Sequence, residues 1–173
     1  SRLFIHSSIY DQFLTRLVEI TKGLRVGHPE QKDVHMGSLI NQAHLQSVDR
    51  YVQLAKQEGG EVLTGGEALT TGEFAKGSFY LPTIITGLKN QAKVCQEEIF
   101  GPVLVVMKYD NEQDLIQQAN DSCFGLAAGI WTESYRKAWR ISRALEVGTV
   151  WINTYKKFSI SAPFGGFKDS GIG

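Results

Sequence analysis

At 173 residues the chain is long enough for one domain of ordinary size, which buries about two-thirds of the surface its unfolded form exposes. Its 18 Lys and Arg balance 18 Asp and Glu, so nothing pulls it by charge toward nucleic acid, anionic lipid or an acidic partner. No apolar run approaches the roughly 20 residues that cross a bilayer, and nothing at the start resembles a signal peptide.

A strand is expected around Leu3 to Ile5, and "SSIYDQFLTRLVEITKGL" then places Ile9, Phe13, Leu17 and Ile20 at intervals of three and four. That period predicts a helix with one buried stripe, with Ser8 as its N-cap and Gly23 near its C-terminal end. Residues 25–41 hold Gly27, Pro29 and Gly37 without a clear period and read as a long connection. A second helix carries Leu45, Val48, Val52 and Ala55 on one face and stops at Gly59 and Gly60, and "EVLTGG" is a short strand.

The second half is more regular. "VLVVM" centres on Val105, "LAAGIW" on Ala128 and "GTVWI" near Trp151, each 23 residues after the last, with helical segments "NEQDLIQQAN" and "SYRKAWRISRAL" between them. Strand, helix, strand, helix, strand implies crossover connections, and hence an α/β fold with a parallel-type sheet and flanking helices. The apolar strands fit burial on both faces. Nothing between residues 1 and 173 reads as a linker, so a single domain is expected.

Few residues point to chemistry on their own. The closing run "PFGGFKDSGIG" has Gly166 and Gly171 at P-loop separation, but Ile172 follows where Lys is needed, and the dinucleotide fingerprint lacks both spacing and context. A tight irregular loop with φ > 0 at several positions is the reading that remains. In "CQEEIFGPVL" two adjacent carboxylates, Glu97 and Glu98, precede an aromatic residue and a Gly-Pro corner. Either one beside a crevice could accept two hydrogen bonds from vicinal sugar hydroxyls; either could equally be a solvated surface group.

Cys95 and Cys123 have neither metal-ligand spacing nor the density of a disulfide scaffold, so both are expected as thiols in a reducing, cytoplasmic compartment. Cys95 adjoins two acids, which raise a thiol pKa, and Cys123 runs into an apolar strand; neither reads as a catalytic nucleophile. His6, His28, His35 and His44 are scattered, and no metal site is expected.

"EEIFGPVL", "NDSCFGLAAGIWT", "GTVWINTY" and "PFGGFKDSGIG" occur in this order and at these separations in the NAD(P)-dependent aldehyde dehydrogenases, which the chain resembles. "MGSLI", "AKQEGGEVLTGG" and "GSFYLPTII" extend the resemblance over nearly the whole length. The resemblance implies an enzyme that oxidises an aldehyde to a carboxylic acid. In that family a cysteine thiolate attacks the carbonyl, hydride passes to NAD or NADP, and a glutamate activates the water that hydrolyses the thioester. It implies that Glu98 holds the nicotinamide ribose hydroxyls with Phe100 near the nicotinamide, that Tyr155, Phe158 and Phe164 line the aldehyde tunnel, and that Asn153 organises the loop between. A homo-oligomer is implied for the full-length protein.

Two departures accompany the matches. The family's nucleophile lies in a segment resembling G-Q-x-C-x-x-x-S-R, and this sequence opens with Ser1 and Arg2. The nucleophile, the water-activating glutamate and the cofactor domain are therefore expected outside these residues. The chain reads as the C-terminal part of a catalytic domain, inactive alone, with no catalytic residue of its own. Where family members often carry Gln and Lys or Arg reaching toward the cofactor, this sequence has His44 and Ser47. A non-catalytic binding or assembly module and a CoA-acylating relative remain as alternative readings.

Overall fold

A computed structural model describes residues 1–173. The chain forms two compact units, Ser1–Tyr109 and Asp110–Gly173.

The first unit contains strands β1 (Arg2–His6), β2 (Glu61–Thr64), β3 (Ala68–Leu69), β4 (Phe79–Tyr80), β5 (Thr83–Thr86) and β6 (Val103–Tyr109), with helices α1 (Tyr10–Lys22), α2 (Gln42–Gln57) and α3 (Lys93–Gln96). Its main sheet has the order β1-β6-β5-β2, parallel except for the edge strand β2, which runs antiparallel to β5. Alternation along β5 and β6 divides the core between two faces. Ile85, Val103, Val105 and Met107 join Leu45, Val48, Val52 and Ala55 of α2 on one side. Ile84 and Val106 join Tyr10, Leu14, Leu17 and Val18 of α1 on the other. Helix, sheet and helix thus form three layers, and the α/β expectation holds, as does the stripe read for α2.

The stripe read for α1 does not. Leu17 does face the sheet, but with Tyr10, Leu14 and Val18, while Ile9, Phe13 and Ile20 are about half exposed. Two sets of apolar residues with the same period lie side by side on this helix, and the period alone cannot choose between them. A hydrogen bond of 2.5 Å between the Tyr10 hydroxyl and Thr86 Oγ1 fixes the rotation. Ser8 is not the cap either: it lies within a 3₁₀ turn, Ser7–Ile9, where His6 Nδ1 accepts from its backbone N–H at 3.2 Å. Gly23 closes the helix as read.

The second unit contains α4 (Glu112–Asn120), β7 (Phe124–Gly125), β8 (Ala127–Ile130), α5 (Tyr135–Ala144), β9 (Thr149–Ile152) and β10 (Phe167–Lys168). β8 and β9 pair in parallel across the α5 crossover, as the spacing predicts, and β7 pairs with β10 antiparallel. β6 does not continue that series. Both of its edges are taken, by β1 and β5, because a regular interval reveals crossovers but not which distant strand supplies a partner.

Candidate functional site

α3 delivers the first candidate segment. Its exposed amides are capped from a distance: Glu58, at the end of α2, accepts from Lys93 N at 2.8 Å and from Val94 N at 3.4 Å. A carboxylate at the start of a helix turn satisfies donors that have no partner within the turn. The chain leaves α3 through Glu97, whose backbone is extended, and continues as a loop through Glu98, Ile99 and Phe100.

Here the two adjacent carboxylates separate. Glu97 accepts from the Tyr51 hydroxyl at 2.8 Å and pairs with Lys93 at 3.5 Å; the Tyr51 phenol is pushed up, first by this hydrogen bond and then by desolvation. Glu98 is exposed, with no hydrogen bond or ion pair to its carboxylate. Ile99 is buried at 7% exposure and anchors the segment, while Phe100 is 78% exposed. A carboxylate and an aromatic ring are thus presented on either side of one anchored residue.

The backbone at this point is unusual. Phe100 has φ of 54°, a left-handed conformation that costs a non-glycine residue about 1–3 kcal/mol. Its carbonyl accepts from His44 Nε2 at 2.8 Å. Gly101 follows, and a Cβ there would lie 2.5 Å from Val48 Cγ2. Val48 is fully buried in α2 and stiff at χ1, so the neighbour has little room to give. Gly101→Ala is expected to destabilise the fold by about 1–3 kcal/mol, read as a lower urea midpoint; an unchanged midpoint would mean that the contact with α2 yields freely.

The second unit carries an aromatic cluster built on Trp151. This residue is buried, and its indole N–H donates to the Lys157 carbonyl at 2.8 Å. Tyr155 meets it edge-on at 5.1 Å between centroids, Phe158 at 5.2 Å, and Phe164 meets Phe158 at 5.0 Å. Such edge-to-face pairs contribute about 0.5–1.5 kcal/mol each beyond burial. The three aromatic residues singled out in the sequence therefore lie together, all partly exposed. Trp151, which joins them, was not singled out; its place between "GTV" and "IN" in an apolar strand was the available signal.

Asn153, at φ of 54°, accepts from Thr132 N at 2.9 Å and donates to Thr132 O at 3.0 Å, locking the ends of β8 and β9 together. The glycines of the closing run act partly otherwise than their density predicts. Gly171 and Gly173 do adopt positive φ, but Gly165 and Gly166 do not. A Cβ on Gly165 would strike the Ile172 backbone, and one on Gly148 would strike Gly165; the run needs glycine for close backbone approach. Lys168 ties it down, with its ammonium 2.6 Å from Asn120 O, 3.1 Å from Ser122 O and 2.7 Å from Glu146.

The remaining candidates have structural uses. Cys95 is buried, and desolvation pushes its thiol up, the opposite of what a nucleophile needs. His28 Nε2 lies 3.2 Å from Glu73 O, and His35 Nδ1 accepts from Arg25 N at 3.0 Å. No group of three or more His, Cys, Asp or Glu is placed to hold a metal ion, and no helix is long and apolar enough to cross a membrane.

The family model for the aldehyde dehydrogenase family matches residues 1–173. The chain belongs to the aldehyde dehydrogenase family. A betaine aldehyde dehydrogenase of Mesorhizobium japonicum is 43% identical over 173 residues, all of this chain and 36% of that protein. Among solved structures, an apo betaine aldehyde dehydrogenase mutant from Staphylococcus aureus superposes with a TM-score of 0.96 at 38% identity, over 100% of this chain and 34% of that one. The NAD+ complex of an aldehyde dehydrogenase from Bacillus cereus gives 0.95 at 38% identity, with the same coverage. The chain thus spans about a third of the length of the aldehyde dehydrogenases it matches.

Proposed function

We propose that these residues form the C-terminal part of the catalytic domain of an NAD-dependent aldehyde dehydrogenase, oxidising an aldehyde to a carboxylic acid through a cysteine thioester. The observation that carries this reading is Glu98: of the two carboxylates in the family's "EEIFGP" stretch, it alone is exposed and unengaged. Its two oxygens can each accept from one of two vicinal ribose hydroxyls, and Phe100 supplies an apolar face beside them. Tyr155, Phe158 and Phe164 form an apolar wall for the aldehyde. NAD, bound by the related enzymes in their solved complexes, supplies the hydride acceptor; the assignment here is NAD rather than NADP.

The nucleophile is assigned to polypeptide outside these residues: Cys95 is buried with a raised thiol pKa, Cys123 is exposed rather than buried as its apolar surroundings in sequence suggest but stands in no segment resembling the family's nucleophile motif, and the related enzymes are about three times as long. The same reading makes the full-length protein a cytoplasmic homo-oligomer. Its substrate is expected to be uncharged. Although relatives are betaine aldehyde dehydrogenases, the Lys156 ammonium lies 5.7 Å over the Tyr155 ring, so one face of that ring already holds a cation and repels a quaternary ammonium nearby.

NAD reduction followed at the nicotinamide absorbance tests this. The full-length enzyme is expected to turn over a neutral aliphatic aldehyde with a higher kcat/KM than betaine aldehyde, and the 173-residue chain alone to give no turnover. Turnover by the chain alone would place the nucleophile within it, and a preference for betaine aldehyde would mean that the Lys156 ammonium does not keep cations from the Tyr155 ring.

A further inference from the structure

We propose that His44 is a positioning residue for the cofactor, acting through the Phe100 carbonyl to hold Glu98 in place; this rests on the reading of Glu98 as the ribose ligand. His44 is the third residue of α2, and its backbone N–H donates to the Asn41 side chain at 2.8 Å, so its own position is fixed by the capped start of a helix. Its ring reaches back to the loop between α3 and β6, where Nε2 lies 2.8 Å from Phe100 O. A carbonyl only accepts, so Nε2 carries the proton. The other ring nitrogen, Nδ1, is buried and has no hydrogen-bond partner. A polar atom buried without a partner costs free energy, which the bond to Phe100 must outweigh for histidine to be tolerated here.

The loop needs such a hold. Phe100 adopts φ of 54° with its ring 78% exposed, so packing of that ring does not secure the strained backbone. What secures it is α2, at two points. Gly101 sits against Val48, and His44, one turn earlier on the same helix, fixes the direction of the carbonyl just before. Ile99 is anchored in the core, so fixing the Phe100 peptide leaves the intervening backbone little freedom, and the direction in which Glu98 projects is set from both sides. The ring of His44 also lies 6.1 Å from that of Phe100, tilted by 45°, so the same side chain that holds the carbonyl borders the aromatic neighbour of the carboxylate.

A double-mutant cycle in the full-length enzyme tests this. His44→Leu removes the donor at similar volume and is expected to raise the KM for NAD by about tenfold, the equivalent of one hydrogen bond, with the KM for the aldehyde unchanged. His44→Gln, which retains an N–H donor, is expected to recover most of the loss. In a Glu98→Gln background the His44→Leu effect should largely disappear, because the group being positioned is already gone. A KM for NAD unaffected by His44→Leu, or a loss of the same factor in both backgrounds, would overturn the inference while leaving Glu98 in the site. If Glu98→Gln itself leaves the kinetics unchanged, the ribose reading falls and this inference with it. A melting curve of each variant separates loss of fold from loss of positioning, and His44→Ala replaces the leucine variant should the latter not fold.

Discussion

Glu98→Gln in the full-length enzyme is expected to lower kcat/KM for NAD by about 10- to 100-fold without a change in melting temperature. The magnitude follows from the chemistry of the acceptor. Hydrogen bonds to a charged group are worth about 1.5–3 kcal/mol each, and every 1.4 kcal/mol is about tenfold. The amide keeps one acceptor oxygen but replaces the other with a donor that faces a hydroxyl. Both bonds lose their charge assistance, and one must reverse direction, with the hydroxyl accepting from the amide. Stability should not move, because the Glu98 carboxylate is exposed and engages no other side chain. Glu97→Gln is the informative contrast. Its carboxylate is held by Tyr51 and Lys93, so its loss should touch stability slightly and NAD kinetics hardly at all. Steady-state kinetics with NAD varied at saturating aldehyde separates the two, and equal effects from both substitutions would argue for a diffuse charge effect.

Phe164→Ala is expected to re-rank aldehydes while leaving NAD affinity in place. The ring meets Phe158 edge-to-face at 5.0 Å, and Phe158 in turn meets the buried Trp151. Truncation removes one member of this series and frees Phe158 to move. Differences of one or two methylenes against an apolar wall are worth about 1–3 kcal/mol, so the ratio of kcat/KM between a branched and a short linear aldehyde should shift by about tenfold. The KM for NAD should change by no more than about twofold, the size of an ordinary substitution that removes no contact to the ligand. A uniform loss across all aldehydes would place Phe164 in the fold rather than in the wall.

Much of this was legible in the residues, and the illegible part has a common cause. The α2 stripe could be read because Leu45, Val48, Val52 and Ala55 offer one apolar face and no competitor. On α1 two apolar faces compete, and the Tyr10–Thr86 bond that decides between them links residues 76 apart in sequence. The same holds for the carboxylate pair. Glu97 and Glu98 are indistinguishable as neighbours in a string, and only the hydroxyl of Tyr51, brought in by α2, tells them apart. Family resemblance points to Glu98, and the geometry shows that its carboxylate, unlike that of Glu97, has no hydrogen-bond or ion-pair partner within the chain. The clustering of Tyr155, Phe158 and Phe164 was likewise expected from resemblance, but its centre, Trp151, emerges only once β9 is folded. His44 is the clearest case: by sequence it is a departure from what the family often carries, and only the fold shows its 2.8 Å contact with Phe100 O. Local periods and motifs are written in the sequence, whereas phase, pairing and engagement are settled by distant partners.

The most direct test is a crystal structure of the full-length enzyme with NAD bound. Both Glu98 oxygens should lie within ordinary hydrogen-bond distance, about 2.5–3.0 Å, of the two nicotinamide ribose hydroxyls, with Phe100 against the nicotinamide. A Glu98 side chain turned to solvent, with the ribose held by other groups, would contradict the assignment.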